Sequence, residues 1–437
     1  MHGRAAVLVD HDVRGLLREQ DVSRAAVELQ RDLIGHRRGR QEDRGLLPQE
    51  LRHTVLQGPD GRVLAALLVA DWGRGNRRAH PFARARRGVR AKVDHGGTRY
   101  RGEVDLALLE RTLAERGEPA YRAAQVWAWT AGGAPGYAAM TNVPGRLRGV
   151  LADEVPFSTL MVAEQAEARD GTVKALFHTN DGHPVEAVLM RYRDGRRSVC
   201  VSSQSGCPLT CTFCATGQMR FGRNLTAWEI LDQALHFRRT QPIDHVVFMG
   251  MGEPFLNVDA VVAAAKRLPD VGVTHRRTTV STVGWLPGLR RFVDEVEEPI
   301  RLALSLHAAD PALRSSLMPV NDRYPLAEVV AECLRYVALR RRKVFVEYVM
   351  LAGVNDSRAD ASRLADLLDP KAFKVNLIPY NPTGMYDGSS RSAIHAFKAV
   401  LDAARLPATV RLTRGRDIAA ACGQLAAAPR GRQPVQG

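Results

Sequence analysis

The sequence is short of cysteine, of acidic residues, of lysine and of long apolar runs, and each shortage narrows what the protein can be. Six cysteines in 437 residues are too few for a secreted disulfide scaffold, whose members are short and cysteine-dense, so a reducing, cytoplasmic setting is expected. No uninterrupted apolar run reaches the roughly 18 residues that suggest a membrane span, and no membrane association is expected. The apolar stretch from Ala5 to Val9 is too short for a secretory signal core and meets Asp10, His11 and Asp12 at once. Acidic residues number 47 against 62 Lys and Arg, a formal charge of +15. That balance does not suit an enzyme of small acidic metabolites and points to a polyanion, nucleic acid first. Only seven of the basic residues are Lys. With heavy Ala, Val and Leu usage, GC-rich coding would give the same bias without any binding role, so charge alone leaves both readings open.

What is present is a normal apolar content, 45%, in a chain long enough for two or three domains. The charge is uneven: residues 1–101 hold 21 Lys plus Arg against 12 Asp plus Glu. The densest part, Arg74 to Arg90, reads as a linker or basic arm. Val13 to Ile34 has helical spacing, and Arg62 to Ala70 suits a strand or a helix. From Val104 to Leu151 apolar residues recur at helical spacing, broken at Gly117–Pro119 and Gly132–Gly136. Two apolar stretches, Thr172–Thr179 and Val185–Tyr192, flank Asn180-Asp181-Gly182, a hairpin signal.

Strands then alternate with helices. Strand candidates are Ser198–Ser202, Val246–Met249, Thr278–Val283, Ile300–Ser305, Val344–Met350 and Phe373–Ile378. A helix opens at Thr226 and Glu229, which make a capping box. Six strand-then-helix units imply parallel strands with right-handed crossovers. Six suit a partial barrel better than a closed one of eight, with active residues in the loops at the C-terminal strand ends.

Directly after the first of these strands stand Cys207, Cys211 and Cys214, spaced C-x3-C-x2-C. Three thiolates can hold three irons of a [4Fe-4S] cluster and leave the fourth iron open, whereas such clusters usually take four cysteines. The alternatives are a zinc knuckle or buried thiols. Zinc sites usually pair two such elements, yet only Cys211 and Cys214 form C-x2-C and no second pair follows. The spacing, with Phe213 before the third cysteine, resembles that of the radical S-adenosylmethionine (SAM) enzymes, in which SAM chelates the open iron.

Four further matches make the likeness specific: Cys200 just before the loop; Gly250-Met-Gly-Glu-Pro254 with Asn257; Ser281 together with Ser305-Leu-His-Ala308; and Arg414-Gly-Arg-Asp-Ile-Ala-Ala-Ala-Cys-Gly-Gln424, which contains Cys422. From about residue 104 to 426 the chain resembles the RlmN/Cfr family of radical SAM RNA methyltransferases. Taken alone, Gly250 and Gly252 would let backbone approach a ligand and Glu253 could accept from an ammonium, although a tight turn would look the same. An isolated Ser281, Ser305 or His307 would read as structural. The resemblance assigns Gly252, Glu253, Ser281, Ser305, Leu306, His307 and Asn381 to SAM, and the three loop cysteines to the cluster.

The resemblance also implies a mechanism. One SAM methylates the cysteine matched by Cys422. A second, cleaved at the cluster, gives a 5′-deoxyadenosyl radical that takes hydrogen from the methylthioether, and the carbon radical adds to adenine. The thiol matched by Cys200 then releases the product and leaves a Cys200–Cys422 disulfide. Glu186 matches the family's general base; read alone, it would be an exposed strand residue. Cys333, in the apolar-periodic stretch Leu326–Leu339, reads as core.

The implied substrate is 23S rRNA, methylated at carbon 2 of an adenosine, with tRNA as a second substrate. Cfr-type methylation at carbon 8, which gives antibiotic resistance, is the alternative within the family. A non-catalytic iron–sulfur RNA-binding module is the alternative outside it. A one-electron donor such as flavodoxin or ferredoxin is implied, and a monomer is expected.

The implied fold is α/β: a partial (β/α)6 radical SAM barrel over 197–425, preceded by a β-hairpin extension over 169–196 and a small helical RNA-handling domain over 103–168. An Arg-rich extension covers 1–102 and a flexible tail 426–437. Family members usually begin near Val104. The extension reads as an upstream stretch joined by a mistaken start, or as an RNA-binding arm, and its Arg- and Ala-rich composition favours the former.

Overall fold

The computed structural model describes residues 106–426 and three strands between residues 4 and 70. The chain divides into two units, Met1–Gly96 and Gly97–Gly437. In the first, β1 (Arg4–Leu8) and β2 (Thr54–Gln57) flank β3 (Val63–Ala70), all antiparallel. The stretch from Arg62 thus resolves as a strand. The helical reading of 13–34, the basic stretch 74–90 and the tail from 427 lie outside the described residues.

The second unit opens with α1 (Leu106–Glu115), α2 (Tyr121–Ala131) and α3 (Gly145–Glu154). Their apolar stripes meet in a small core of their own around Leu109, Leu113, Val126, Met140, Leu147 and Leu151. Residues 160–167, placed above with the helical segment, instead form β4 (Leu160–Glu167), an edge strand. Only Leu160 of β4 is buried, so the ladder with its neighbour, rather than an apolar face, holds it in place. That neighbour is β5 (Val173–Thr179), which turns at 180–183 into β6 (Pro184–Arg191).

The parallel part consists of β7 (Arg197–Val201), β10 (His245–Phe248), β11 (Thr278–Thr282), β12 (Arg301–Ser305), β13 (Val344–Met350), β14 (Phe373–Pro379) and β15 (Ala408–Val410). Between β7 and β10, short strands β8 (Gln204–Ser205) and β9 (Arg223–Asn224) pair antiparallel. The helices are α4 (Ala227–Arg238), α5 (Val258–Arg267), α6 (Leu286–Glu295), α7 (Pro311–Leu317), α8 (Val320–Arg323), α9 (Leu326–Arg340), α10 (Arg358–Leu367) and α11 (Arg391–Ala403).

Within the second unit all strands but the β8–β9 pair join one ten-stranded sheet, ordered β15-β14-β13-β12-β11-β10-β7-β6-β5-β4. Strands β7 and β10 to β15 run parallel, while β4, β5 and β6 are antiparallel to their neighbours. No ladder joins β15 back to β4 among the described residues, so the barrel is partial. The six expected strands are all present, and β15 adds a seventh.

Most residues of β7 and β10 to β14 are buried, as expected of strands covered on both faces, and one large core joins them to the helices. The Thr226 hydroxyl accepts from the Glu229 amide and the Glu229 carboxylate from the Thr226 amide, a cap worth about 1 kcal/mol. It starts α4 directly after β9 and so anchors the far end of the cysteine loop. Among the described residues no helix is long and apolar enough to cross a membrane.

Candidate active site

A cavity of about 380 Å³ opens at the C-terminal ends of the parallel strands, where side chains from several loops converge in such folds. Cys200, Cys214, Gly252, Glu253, Ser281, Ser305, His307, Asn381 and Cys422 all line it. Cys207 and Cys211 lie in the same loop as Cys214. Leu306 and Glu186 do not line it: Leu306 is fully buried, with its amide donating to the Glu347 carbonyl at 3.1 Å.

The cysteine loop spans from β8 to β9, whose pairing ties its two ends together. Burial is the main reason that all three thiols have raised pKa values, Cys207 reaching about 12; the charges of its neighbours, Glu253 and Cys214, add to it. Neutral thiols are poor metal ligands, and a bound metal is what would hold them as thiolates. Among the described residues no three His, Cys, Asp or Glu side chains form a site for a single ion. A [4Fe-4S] cluster makes a different demand, one thiolate for each of several separate irons, and three neighbouring cysteines on one loop fit it.

Glu253 follows β10 in a turn that requires glycine. Gly252 has φ +96°, and a Cβ there would stand 2.6 Å from the Gln204 side chain. The Gln204 Oε1 accepts from the Glu253 amide at 2.9 Å, which couples this turn to the cysteine loop. The buried Glu253 carboxylate accepts from the Phe255 amide at 3.0 Å, the Thr282 hydroxyl at 2.7 Å and the Val283 amide at 2.9 Å. Burial still dominates and lifts its pKa to about 7.

Ser281 and Ser305, at the ends of adjacent strands, have hydroxyls 3.3 Å apart. His307 adopts left-handed backbone geometry, φ 60°. Its Nδ1 accepts from the Val349 amide at 3.1 Å, which fixes a neutral ring with hydrogen on Nε2. Burial, then the charge of Arg314, lowers its pKa to about 3. The Phe213 ring packs edge-on against it, centroids 4.6 Å apart.

Cys422 arrives from the far end of the chain on a segment held by the cysteine loop itself. The Ala215 amide donates to the Gly423 carbonyl at 2.8 Å and the Thr216 hydroxyl to the Leu425 carbonyl at 2.6 Å. Asn381 also binds this segment, its Nδ2 donating to the Cys422 carbonyl at 3.1 Å. Cys200 is buried near the end of β7, and its pKa is pushed up to about 12 by burial first and the Cys422 charge second. Both are free thiols.

Glu186 on β6 is buried, not exposed. It pairs with Lys174 at 2.7 Å and accepts from the Ala426 amide at 3.0 Å, so it grips the segment that carries Cys422. Cys333 lies fully buried in the main core.

Three residues of the site carried no motif. Arg411, just past β15, lines the cavity, and the Cys422 charge is the leading cause that raises its pKa. Glu347 is the one charged residue of β13, a charge in an apolar strand that could have drawn notice. Arg314 on α7 is fully buried and binds the backbone of the loops after β11 and β12; nothing in its local sequence marks it.

Residues 201–365 match the Radical SAM superfamily. The chain is 44% identical over 338 residues to the "Probable dual-specificity RNA methyltransferase RlmN" of Moorella thermoacetica, covering 74% of this chain and 95% of that protein. It is 43% identical over 340 residues to the dual-specificity RNA methyltransferase RlmN of Anaeromyxobacter sp., covering 74% and 89%. The crystal structure of a radical SAM methyltransferase from Sphaerobacter thermophilus superposes with a TM-score of 0.70 at 44% identity, covering 74% of this chain and 98% of that one. A shared fold, a cysteine loop opening on one cavity and identity of this extent lead to a single conclusion: the chain belongs to the RlmN/Cfr family of radical SAM RNA methyltransferases.

Proposed function

We propose that this protein methylates carbon 2 of an adenosine in 23S rRNA, and an adenosine of tRNA, through a methyl group carried on Cys422. The observation that supports it most is that two thiols distant in sequence, Cys200 and Cys422, line the same cavity as Cys214 of the cysteine loop. A methyl-carrying mechanism needs one cysteine to bear the carbon and a second to free the product, both within reach of one electron-transfer centre.

Arg411 and Cys422 line the same cavity, and the Cys422 sulfur, as thiolate, takes a methyl group from one SAM by displacement. A [4Fe-4S] cluster on Cys207, Cys211 and Cys214 supplies, when bound, the single electron that cleaves a second SAM, delivered to it by a donor such as flavodoxin or ferredoxin. Gly252, Glu253, Ser281, Ser305, the backbone at Leu306, His307 and Asn381 hold SAM beside it. The 5′-deoxyadenosyl radical from that cleavage takes one hydrogen atom from the methyl group on Cys422, becoming 5′-deoxyadenosine, and the carbon radical left on the sulfur adds to the adenine ring, which then gives up a proton and one electron to regain its aromatic form. Cys200, as thiolate, then attacks the Cys422 sulfur: a disulfide forms, the sulfur–carbon bond breaks, and the carbon keeps the electron pair and takes a proton. Glu186 serves as the base that removes the ring proton once the segment ending at Ala426 lifts from it. The basic surface and the helical segment α1–α3 hold the RNA, whose target base must be unstacked to enter.

The test is anaerobic. Reconstituted protein is given SAM, a reductant and unmodified 23S rRNA or tRNA, and the digested nucleosides are identified by mass spectrometry. 2-Methyladenosine is expected, and 8-methyladenosine would move the protein to carbon-8 chemistry. Cys422→Ala should abolish methylation, and Cys200→Ala should trap a covalent protein–RNA adduct. A non-catalytic RNA-binding module would form no methyladenosine and be indifferent to Cys422→Ala. SAM cleavage without any methyladenosine overturns the substrate reading.

A further inference from the structure

One oxygen in the cavity lacks a partner. Glu347 lies within β13, is 5% exposed and lines the cavity. Its Oε1 accepts from Asn376 Nδ2 at 2.9 Å, while its Oε2, equally buried, has no hydrogen-bond partner. A buried carboxylate oxygen left unpaired is costly, and folded proteins rarely keep one unless something outside the chain completes it.

Its neighbours say which end of the cavity it serves. The charge of Arg411 bears on Glu347, on Cys422 and on Cys200, and Glu347 is the ladder partner of Ser305 on β12, so it faces both the end of the cavity with the two lone thiols and the serine assigned to SAM. Glu253 belongs instead with the cysteine loop, its charge acting on Cys207 and Cys211. The occupant of the free oxygen must bring an N–H or O–H donor to the place where Cys422 meets its substrate.

We infer that Glu347 reads the target base, Oε2 accepting a hydrogen bond from the 6-amino group of the adenine brought against Cys422. This rests on the adenosine reading above. Adenine presents N6–H as a donor, whereas guanine carries an acceptor, O6, at that position, and two facing acceptors repel. SAM contains an adenine with the same amino group, so the test has to separate the two sources.

The surroundings make a sharp variant available. Thr409 donates to Asn376 Oδ1 at 2.7 Å, which fixes the Asn376 amide with its Nδ2 toward Glu347. In Glu347→Gln the side-chain oxygen therefore stays on Asn376, and the amide nitrogen takes the place of Oε2. An acceptor becomes a donor with almost no change of shape.

Three synthetic rRNA stem-loops would be compared, with adenosine, purine riboside or inosine at the target position, the second lacking the 6-amino group and the third bearing an oxygen there. With the anaerobic holoenzyme, kcat/KM is measured for each RNA, the RNA Kd without reductant, and the SAM Kd separately. Wild type is expected to lose about 10- to 100-fold on purine riboside relative to adenosine, in Kd as well as kcat/KM. Glu347→Gln should lose a similar factor on adenosine, little more on purine riboside, and shift toward inosine with its SAM affinity unchanged.

Equal use of adenosine and purine riboside by wild type overturns the inference, and that comparison needs no variant to fold. A Glu347→Gln enzyme with weakened SAM binding and unchanged preference among the RNAs would give the carboxylate to the adenine of SAM, which also overturns it. If wild type cleaves SAM and methylates none of the three, the adenosine reading itself has failed.

Discussion

Replacing Arg314 with methionine tests whether the site is held from behind. The guanidinium is fully buried and donates to Asn321 Oδ1 at 2.7 Å, the Val283 carbonyl at 2.6 Å, the Leu306 carbonyl at 3.2 Å and the Ser305 carbonyl at 3.4 Å. Burial lowers its pKa to about 10, so it remains charged near neutrality. Arg314→Met keeps length and apolar bulk but orphans three close acceptors, each costing about 1–3 kcal/mol. Against this, the variant no longer has to bury a charge, and replacement of buried ions by apolar groups is often less harmful than their pairing suggests. The balance is a loss of about 2–4 kcal/mol, read from urea unfolding under anaerobic conditions.

The second readout is more specific. The Val283 amide holds Glu253, and Ser305, Leu306 and His307 follow one another on the loop that Arg314 binds. Loosening both loops should weaken SAM binding at least tenfold, with Arg314→Lys intermediate. Stability within about 0.5 kcal/mol of wild type together with an unchanged SAM Kd would refute the argument that this arginine positions the site.

Three further outcomes follow from named contacts. His307 must stay neutral to accept from Val349, and its pKa is lowered from 6.5 to about 3; its contribution is whole above 6.5 and is lost as pH falls, roughly 2 kcal/mol by pH 5. Glu253, raised from 4.5 to about 7, runs the other way and loses stability as pH rises through that window, so the readout is the difference between His307→Asn and wild type, which should vary with pH below 6.5 and be flat above it. In Gly288→Ala the new Cβ would stand 2.1 Å from the Phe255 carbonyl oxygen; α6 must shift from the turn after Glu253, costing about 1–3 kcal/mol by thermal melting and weakening SAM binding. Cys333→Ala should cost about 1–2 kcal/mol for the small cavity and leave methylation rates unchanged.

The parts of this molecule that were legible in its sequence are those written in local patterns. The capping box at Thr226 and the hairpin around Asn180-Asp-Gly182 announce themselves within a few residues. The six parallel strands read from their apolar and β-branched residues, most of which are buried because both faces are covered. The cysteine loop is legible because its three thiols fall within eight consecutive residues. β4 was missed because an edge strand with one buried residue has no alternation to read. The burial of Glu186 was not legible for a related reason: read alone it looks like an exposed strand residue, and its partners, Lys174 and Ala426, come from a neighbouring strand and from the chain's far end. Arg314 shows the same limit, since its acceptors follow two other strands.

The sheet order explains why Cys422 can reach the cavity at all. β15 and β4 are opposite edges of the sheet and do not pair, so the partial barrel has an open side between them. The chain leaves β15 and crosses toward the antiparallel strands. The Gly415 amide donates to Asp170 at 3.1 Å, Asp417 accepts from the Arg169 amide at 3.1 Å, and Lys174 donates to the Ala419 carbonyl at 3.3 Å. Beyond these, Ala426 binds Glu186, and Leu425 binds Thr216 of the cysteine loop. Hydrogen bonds from short loops and side chains span the gap where a ladder would otherwise close the barrel. Such contacts can be undone one at a time at modest cost, whereas a strand in a ladder would release only as a unit. On the methyl-carrying mechanism proposed above, a segment that presents a thiol, becomes joined to RNA through it and then yields it to Cys200 would be better served by the first arrangement. Cutting two of these ties, with Asp170→Ala and Asp417→Ala together, should therefore leave the barrel's melting temperature nearly unchanged. It should also speed exchange of the amides at 415–426 in hydrogen–deuterium measurements. A cooperative loss of the whole sheet in that variant would show that the segment is part of the fold rather than a cover laid across its open side.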